Sequence, residues 1–170
     1  MRYADGPSAE AEIYIAAPPQ RVWTLVSDIG IPPRFSDELS ATEWVGAAAP
    51  PAVGARFTGR NQHPAIGSWE TTSVVAECTP ERCFAWDVET SAGISASWRF
   101  ELEPAGDGTR LRQYGRMGPA PSGITSAIGA LPDKEERIIA RRLAEWQRNI
   151  LANLSGIKAL AESPDGLPAS

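Results

Sequence analysis

The stretch DKEERIIARRLAEWQRNILANLSGIKALAE, residues 133–162, decides the fold. Its apolar residues fall at Ile139, Leu143, Trp146, Ile150, Leu154, Ile157 and Ala161. Steps of three and four keep them on one stripe of a 3.6-residue helix, while Arg137, Arg141, Arg148 and Ser155 take the opposite side. Asp133 is placed as N-cap, with Glu136 positioned for a capping box. A helix of about thirty residues is roughly 45 Å long. That is enough to lie along a whole curved sheet. One flank of the stripe is polar, carrying Arg142, Asn149 and Asn153.

Working outward from this helix, the chain reads as strands and hairpins. Residues 1–8 read as a loose leader, residues 9–162 as a single domain and residues 163–170 as a flexible tail. Glu10 to Ile15 alternates as a strand. Ala17-Pro18-Pro19 then opens a short helix, since proline is tolerated in a first turn, with Val22, Leu25 and Val26 as its apolar face. Pro32-Pro33 begins a second short helix over Ile31–Leu39. A strand near Thr42–Val45 and a Pro/Ala/Gly loop over 46–54 follow. Residues 55–117 alternate with period two between turn signals, which predicts five further antiparallel strands. The segment 118–132 is rich in Gly, Pro and Ser, and within it Ile124–Leu131 reads either as a short lid helix or as a plain connector.

The hairpins are short enough to fix a register. Centring the last turn between Glu103 and Arg110 sets Glu101 opposite Arg112 and Glu103 opposite Arg110, the pairing expected on a solvent-facing side. The other face then carries the row Val75, Trp86, Trp98, Gly115, in which the glycine leaves room beside an indole. The next row is Ser73, Val88, Ala96, Met117. Trp69, Thr71, Ser73, Trp86, Trp98 and Gln113 share this inner face. Thr71, Ser73 and Gln113 each need a partner if desolvated. Indoles, gaps and a few polar groups describe a ligand pocket. The plainer reading of Trp86 and Trp98 as core stays open beside it. Asn61, near the end of its strand, is placed with Arg60 at the entrance, and Asn149 and Asn153 face the cavity from the helix.

At 170 residues and a net charge of −5, phosphate binding is disfavoured and nucleic acid is excluded as the main partner. No apolar run approaches the roughly 20 residues of a membrane span, and no stable membrane insertion is expected. The N-terminus lacks an apolar signal core, so the reading is cytoplasmic. A homodimer is neither required nor excluded. Cys78 and Cys83 flank a turn and are read as two free thiols, although they could face each other across the hairpin. The one histidine, His63, sits in an exposed-looking turn with no nucleophile placed near it. No metal set, no phosphate loop and no cofactor are expected. For catalysis the candidates are Glu77, the one carboxylate that the register puts inside, and Gln113. A carboxylate in an apolar cavity can titrate high enough for acid–base work.

The order of elements resembles the START-type helix-grip superfamily, and within it the polyketide cyclase/dehydrase and lipid-transport group. The resemblance rests on Ile-Ala-Ala-Pro-Pro-Gln-Arg-Val-Trp (15–23), on Val53-Gly54 before Phe57, and on Gly59-Arg60-Asn61 followed by Trp69-Glu70-Thr71. Phe84-Ala85-Trp86 and the stretch from Trp98 through Gly108-Thr109-Arg110 extend it over residues 9–162. It implies an α+β helix-grip fold: a seven-stranded antiparallel sheet curved around the C-terminal helix, two short helices after strand 1, and a hydrophobic ligand between sheet and helix. No catalytic motif comes with it. The expected function is binding of an aromatic, polyketide-like or lipid-like small molecule. The alternatives are a cyclase or dehydratase acting on such a molecule, and a protein-interaction module.

Overall fold

The order of elements is strand, helix, six strands, two helices. In a computed structural model, which describes residues 1–46 and 51–164, β1 (Ser8–Ile15) leads to α1 (Pro19–Val26). Then come β2 (Leu39–Trp44), β3 (Arg56–His63), β4 (Gly67–Thr79), β5 (Cys83–Thr90), β6 (Gly93–Ala105) and β7 (Gly108–Met117). Two helices finish the chain, α2 (Gly123–Ala130) and α3 (Glu135–Glu162). The seven strands form one antiparallel sheet in the order β1-β7-β6-β5-β4-β3-β2. The α+β helix-grip architecture expected from sequence is the one observed. Part of the 46–54 loop and the tail from residue 165 lie outside the described residues.

Pro19 at the first position of α1 lacks the N–H that a helix start leaves unpaired. That helix buries Val22, Leu25 and Val26 against the sheet. On α3, Ile139, Ile150, Leu154, Ile157 and Ala161 are buried, Leu143 and Trp146 are half-buried, and Arg137, Arg141, Arg148 and Ser155 face solvent. Close backbone contacts of α3 run to β1, β7, α1 and α2; the inner face of β3–β5 stands off from it.

The register follows the charge pairing. Glu101 faces Arg112, Glu103 faces Arg110, and the two inner rows run Val75–Trp86–Trp98–Gly115 and Ser73–Val88–Ala96–Met117. Gly115 is where the absence of a side chain matters most, since a Cβ there would lie 2.5 Å from Trp98 Cζ3.

Five expectations need correction. Residues 1–8 are not loose: Tyr3 is buried, its N–H donates to Glu135 Oε1 (2.8 Å) and its hydroxyl to the Ala120 carbonyl (2.8 Å). An aromatic ring with a satisfied hydroxyl is a strong anchor for a chain end. The second short helix is a single 3-10 turn, Pro32–Arg34, because β2 begins at Leu39. Asp133 does not cap α3; a 3-10 turn over Pro132–Lys134 precedes it and Lys134 takes the cap position.

The remaining two share one cause. A bulge between Val75 and Glu77 inserts Ala76, so Glu77 pairs with Ala85 rather than Phe84 and moves to the outer face. There its carboxylate meets the Arg99 guanidinium. The same slip turns Cys78 inward, opposite Phe84, while Cys83 stays on the outer side, opposite Glu101. The two thiols, both free, therefore sit on opposite faces of the sheet and do not face each other.

Candidate functional site

The space between the standing-off half of the sheet and α3 is a cavity of about 500 Å³. Two groups of aromatic rings wall it, with Trp44 packed behind the first. Trp44 meets Phe57 edge-on at 5.5 Å, Phe57 meets Trp86 at 6.1 Å, and Trp86 lies between Phe84 and Phe100 at 5.6 and 5.9 Å. Trp98 stacks at a tilt on Trp146 of α3, 4.5 Å between centroids, carrying the wall from sheet to helix. The strand alternation builds this surface, because successive residues of β3–β7 point to opposite faces except at the bulges.

All nine side chains expected from sequence to meet a ligand border this cavity: Asn61, Trp69, Thr71, Ser73, Trp86, Trp98, Gln113, Asn149 and Asn153. Their chemistry differs. Asn61 donates to the Gly59 carbonyl and to Thr71 Oγ1, so its amide holds the β3–β4 pair together. Asn149 is occupied as well, donating to Asp37 Oδ1 (2.8 Å) and accepting the Asp37 N–H (3.0 Å), which ties the segment before β2 to α3. Deep in the cavity, Asn153 Nδ2 donates to Gln113 Oε1 (3.0 Å), and both residues are buried. Asn153 Oδ1 has no partner among the described residues, an uncommon state for a buried carbonyl oxygen. Of the two catalytic candidates, Gln113 lines the cavity and Glu77 lies on the other side of the sheet.

At the rim stands a cluster that the sequence reading did not assemble. The Arg142 guanidinium grips Glu38 with both Nη atoms (2.6 Å each) and Glu145 with Nη1 (2.9 Å). His63 Nε2 lies 3.3 Å from Glu145 Oε2. His63 Nδ1 accepts the Ala65 N–H at 3.1 Å, which assigns the proton of the neutral ring to Nε2, on the side of Glu145. Its side chain is only 15% exposed, so the exposed-turn reading of His63 is corrected; the partner comes from α3, far away in sequence. Burial alone would pull Arg142 down, but Glu38 and then Glu145 outweigh it and hold the guanidinium above the ordinary arginine range. Burial would likewise push the Glu145 carboxyl up, and Arg142, then His63, overcome this and hold it below the usual glutamate range.

Glu38, His63 and Glu145 bring three metal-ligating atoms within 4.8 Å of one another. Sequence did not suggest the set, since the residues come from three separate elements. The Arg142 guanidinium bonds to both carboxylates, and Arg141 Nε lies 3.7 Å from Glu145 Oε1, so two arginines face the two acids. The segment 118–132 folds over one end of the cavity, where Ser122, Gly123 and Ile124 at the start of α2 contribute to its lining.

The family described as polyketide cyclase / dehydrase and lipid transport matches over residues 7–161. The chain belongs to that family. Among solved structures, the Polyketide_cyc-like protein Cgl2372 from Corynebacterium glutamicum is 34% identical, with 91% of each chain covered and a TM-score of 0.63. The di-domain ARO/CYC BexL, from the BE-7585A biosynthetic pathway, shares 14% identity and a TM-score of 0.69 over 92% of this chain. This chain spans half the length of BexL. Ara h 8.0201 shares 14% identity over 90% of this chain and 98% of its own, with a TM-score of 0.57. The last two show the fold alone. A comparison with curated proteins finds no match. No helix among the described residues is long and apolar enough to cross a membrane.

Proposed function

We propose that the chain binds a hydrophobic, aromatic small molecule between the sheet and α3. The observation that carries this is the cavity of about 500 Å³ walled by Phe57, Trp86, Trp98 and Trp146, with the polar pair Gln113–Asn153 inside it. Ligand sites of drug-sized molecules are roughly 300–1,000 Å³, mostly apolar, with a few placed polar groups. Gln113 has used its oxygen on Asn153 and keeps its Nε2 donor without a partner among the described residues. A ligand carbonyl or hydroxyl reaching the inner end meets that donor. Membership of a family whose description includes lipid transport, and the fold shared with ARO/CYC proteins, are in keeping with such a ligand.

The test is titration with an uncharged fluorescent probe such as N-phenyl-naphthylamine, followed through the cavity tryptophans. Trp86→Leu and Gln113→Leu are expected to weaken it. Failure to bind up to the solubility limit, or affinities untouched by both substitutions, would refute the site.

The free Gln113 donor also supports a cyclase reading. An N–H fixed in an apolar cavity favours charge developing on a carbonyl oxygen, which is the demand of an aldol-type ring closure. Turnover of a poly-β-ketone substrate that disappears with Gln113→Leu, while binding survives, is the result this reading requires.

A further inference from the structure

Five charged residues border the cavity: Asp28, Glu38, Glu70, Glu89 and Arg142. Four are carboxylates. The single cation among the described residues that border it, Arg142, is not available to a ligand, because Glu38 holds both of its Nη atoms and Glu145 shares Nη1. Its side chain is 12% exposed. Arginine recognises a ligand carboxylate or phosphate through the same planar fork that Glu38 already fills. On the sheet side, Arg56 pairs with Glu89 and does not border the cavity. With Glu38 and Glu89 paired to arginines, Asp28 and Glu70 leave the cavity border net negative. An anion entering here would lose its water and find no free cation among the described residues that border it.

We infer that the cavity selects uncharged ligands, aromatic alcohols and ketones, and rejects carboxylates and phosphates of the same size. This rests on the proposed ligand-binding function and narrows it: fatty acids and anionic lipids are excluded, and a neutral phenol or an ester- or thioester-linked ketone chain is accepted. The chain's own Glu38 occupies the place that a ligand anion would take. It acts as a built-in competitor at the one arginine that could recruit one.

The experiment is a matched pair of probes, a naphthol and the corresponding naphthoate. They differ in the charge of one substituent at neutral pH, and binding is read by quenching of the cavity tryptophans. The intact protein is expected to bind the naphthol at least about tenfold more tightly. Because any apolar cavity disfavours an anion to some extent, the deciding arm is Glu38→Gln, which leaves one acceptor for the two Arg142 Nη atoms, so one of them is freed, and removes one border charge. It is expected to raise naphthoate affinity about tenfold and leave naphthol affinity within about twofold. A second measurement does not depend on the variant folding. In the unsubstituted protein, added salt screens the rim and is expected to strengthen naphthoate binding with no effect on naphthol. Equal affinities for the two probes, or naphthoate binding that weakens with salt, overturns the inference and leaves the ligand cavity standing. Binding of neither probe overturns the cavity reading and this one with it.

Discussion

Gly115→Ala puts one methyl group where the row Trp86–Trp98–Gly115 has none to spare. A Cβ at this position would lie 2.5 Å from Trp98 Cζ3, 2.7 Å from Cε3 and 3.0 Å from Cη2. Carbon atoms prefer about 3.5–4.0 Å, so the indole has to retreat by about 1 Å. It cannot do so freely, because its ring is stacked on Trp146. Overpacking of this kind costs about 1–3 kcal/mol. Elsewhere Gly→Ala gains about 0.4–1 kcal/mol through the unfolded chain, so the sign of the change is diagnostic. At this chain length each kcal/mol moves Tm by about 2–4 °C, and a drop of a few to about ten degrees is expected by calorimetry or circular dichroism. Gly123→Ala is the control, since nothing lies within 4 Å of the position where its Cβ would stand. In a Trp98→Leu background the cost at Gly115 should largely vanish, and the coupling energy of that cycle isolates the indole contact. An unchanged or raised Tm for Gly115→Ala, or a cost that persists without the indole, would refute the reasoning.

Other outcomes follow from the same geometry. Arg142→Met leaves two mostly buried carboxylates without the guanidinium that bridges them; a loss of about 3 kcal/mol is expected in urea unfolding at neutral pH, shrinking as acid neutralises Glu145. Glu145 titrates below the ordinary glutamate value, so its contribution to stability is complete above about pH 4.5 and is lost as pH falls through its lower folded value; Glu145→Gln should flatten the stability profile in that acid range. Asn153→Leu and Gln113→Leu should each cost about 1–3 kcal/mol by stranding the other's amide, and the double replacement less than their sum. Tyr3→Phe should cost about 1 kcal/mol through the lost bond to Ala120, whereas a loose leader would show no change.

The elements that carried a periodic or charge-paired signal were legible in the amino-acid order. The α3 stripe, the Glu101–Arg112 register and the Trp98–Gly115 pairing all come from local periodicity carried across short turns. The inner face inherits that register, which is why Trp69, Thr71, Ser73, Trp86, Trp98 and Gln113, picked by alternation, border one cavity. What escaped was whatever depends on one inserted residue or on distant partners. Ala76 reverses the parity of β4 beyond Val75, and no composition signal marks it, so Glu77 and Cys78 exchange faces. His63 and Glu38 gained their role from Arg142 and Glu145, about 80 to 105 positions away, and Tyr3 from Glu135 and Ala120. Asn149 borders the cavity, yet its amide is spent on Asp37, a loop residue that periodicity cannot position.

The lean of α3 toward β1 and β7 has a dynamic consequence. One half of the sheet is sealed by helix packing, while β3–β5 is backed by a hollow and held to α3 through side chains at its rim. Backbone amides of β3 and β4 should therefore exchange with solvent faster than those of β6 and β7, by sub-global opening rather than complete unfolding. A molecule filling the hollow would supply the missing interior of that half. Its arrival should be read most clearly as slowed deuterium uptake in β3–β5, at strands whose backbone it never touches.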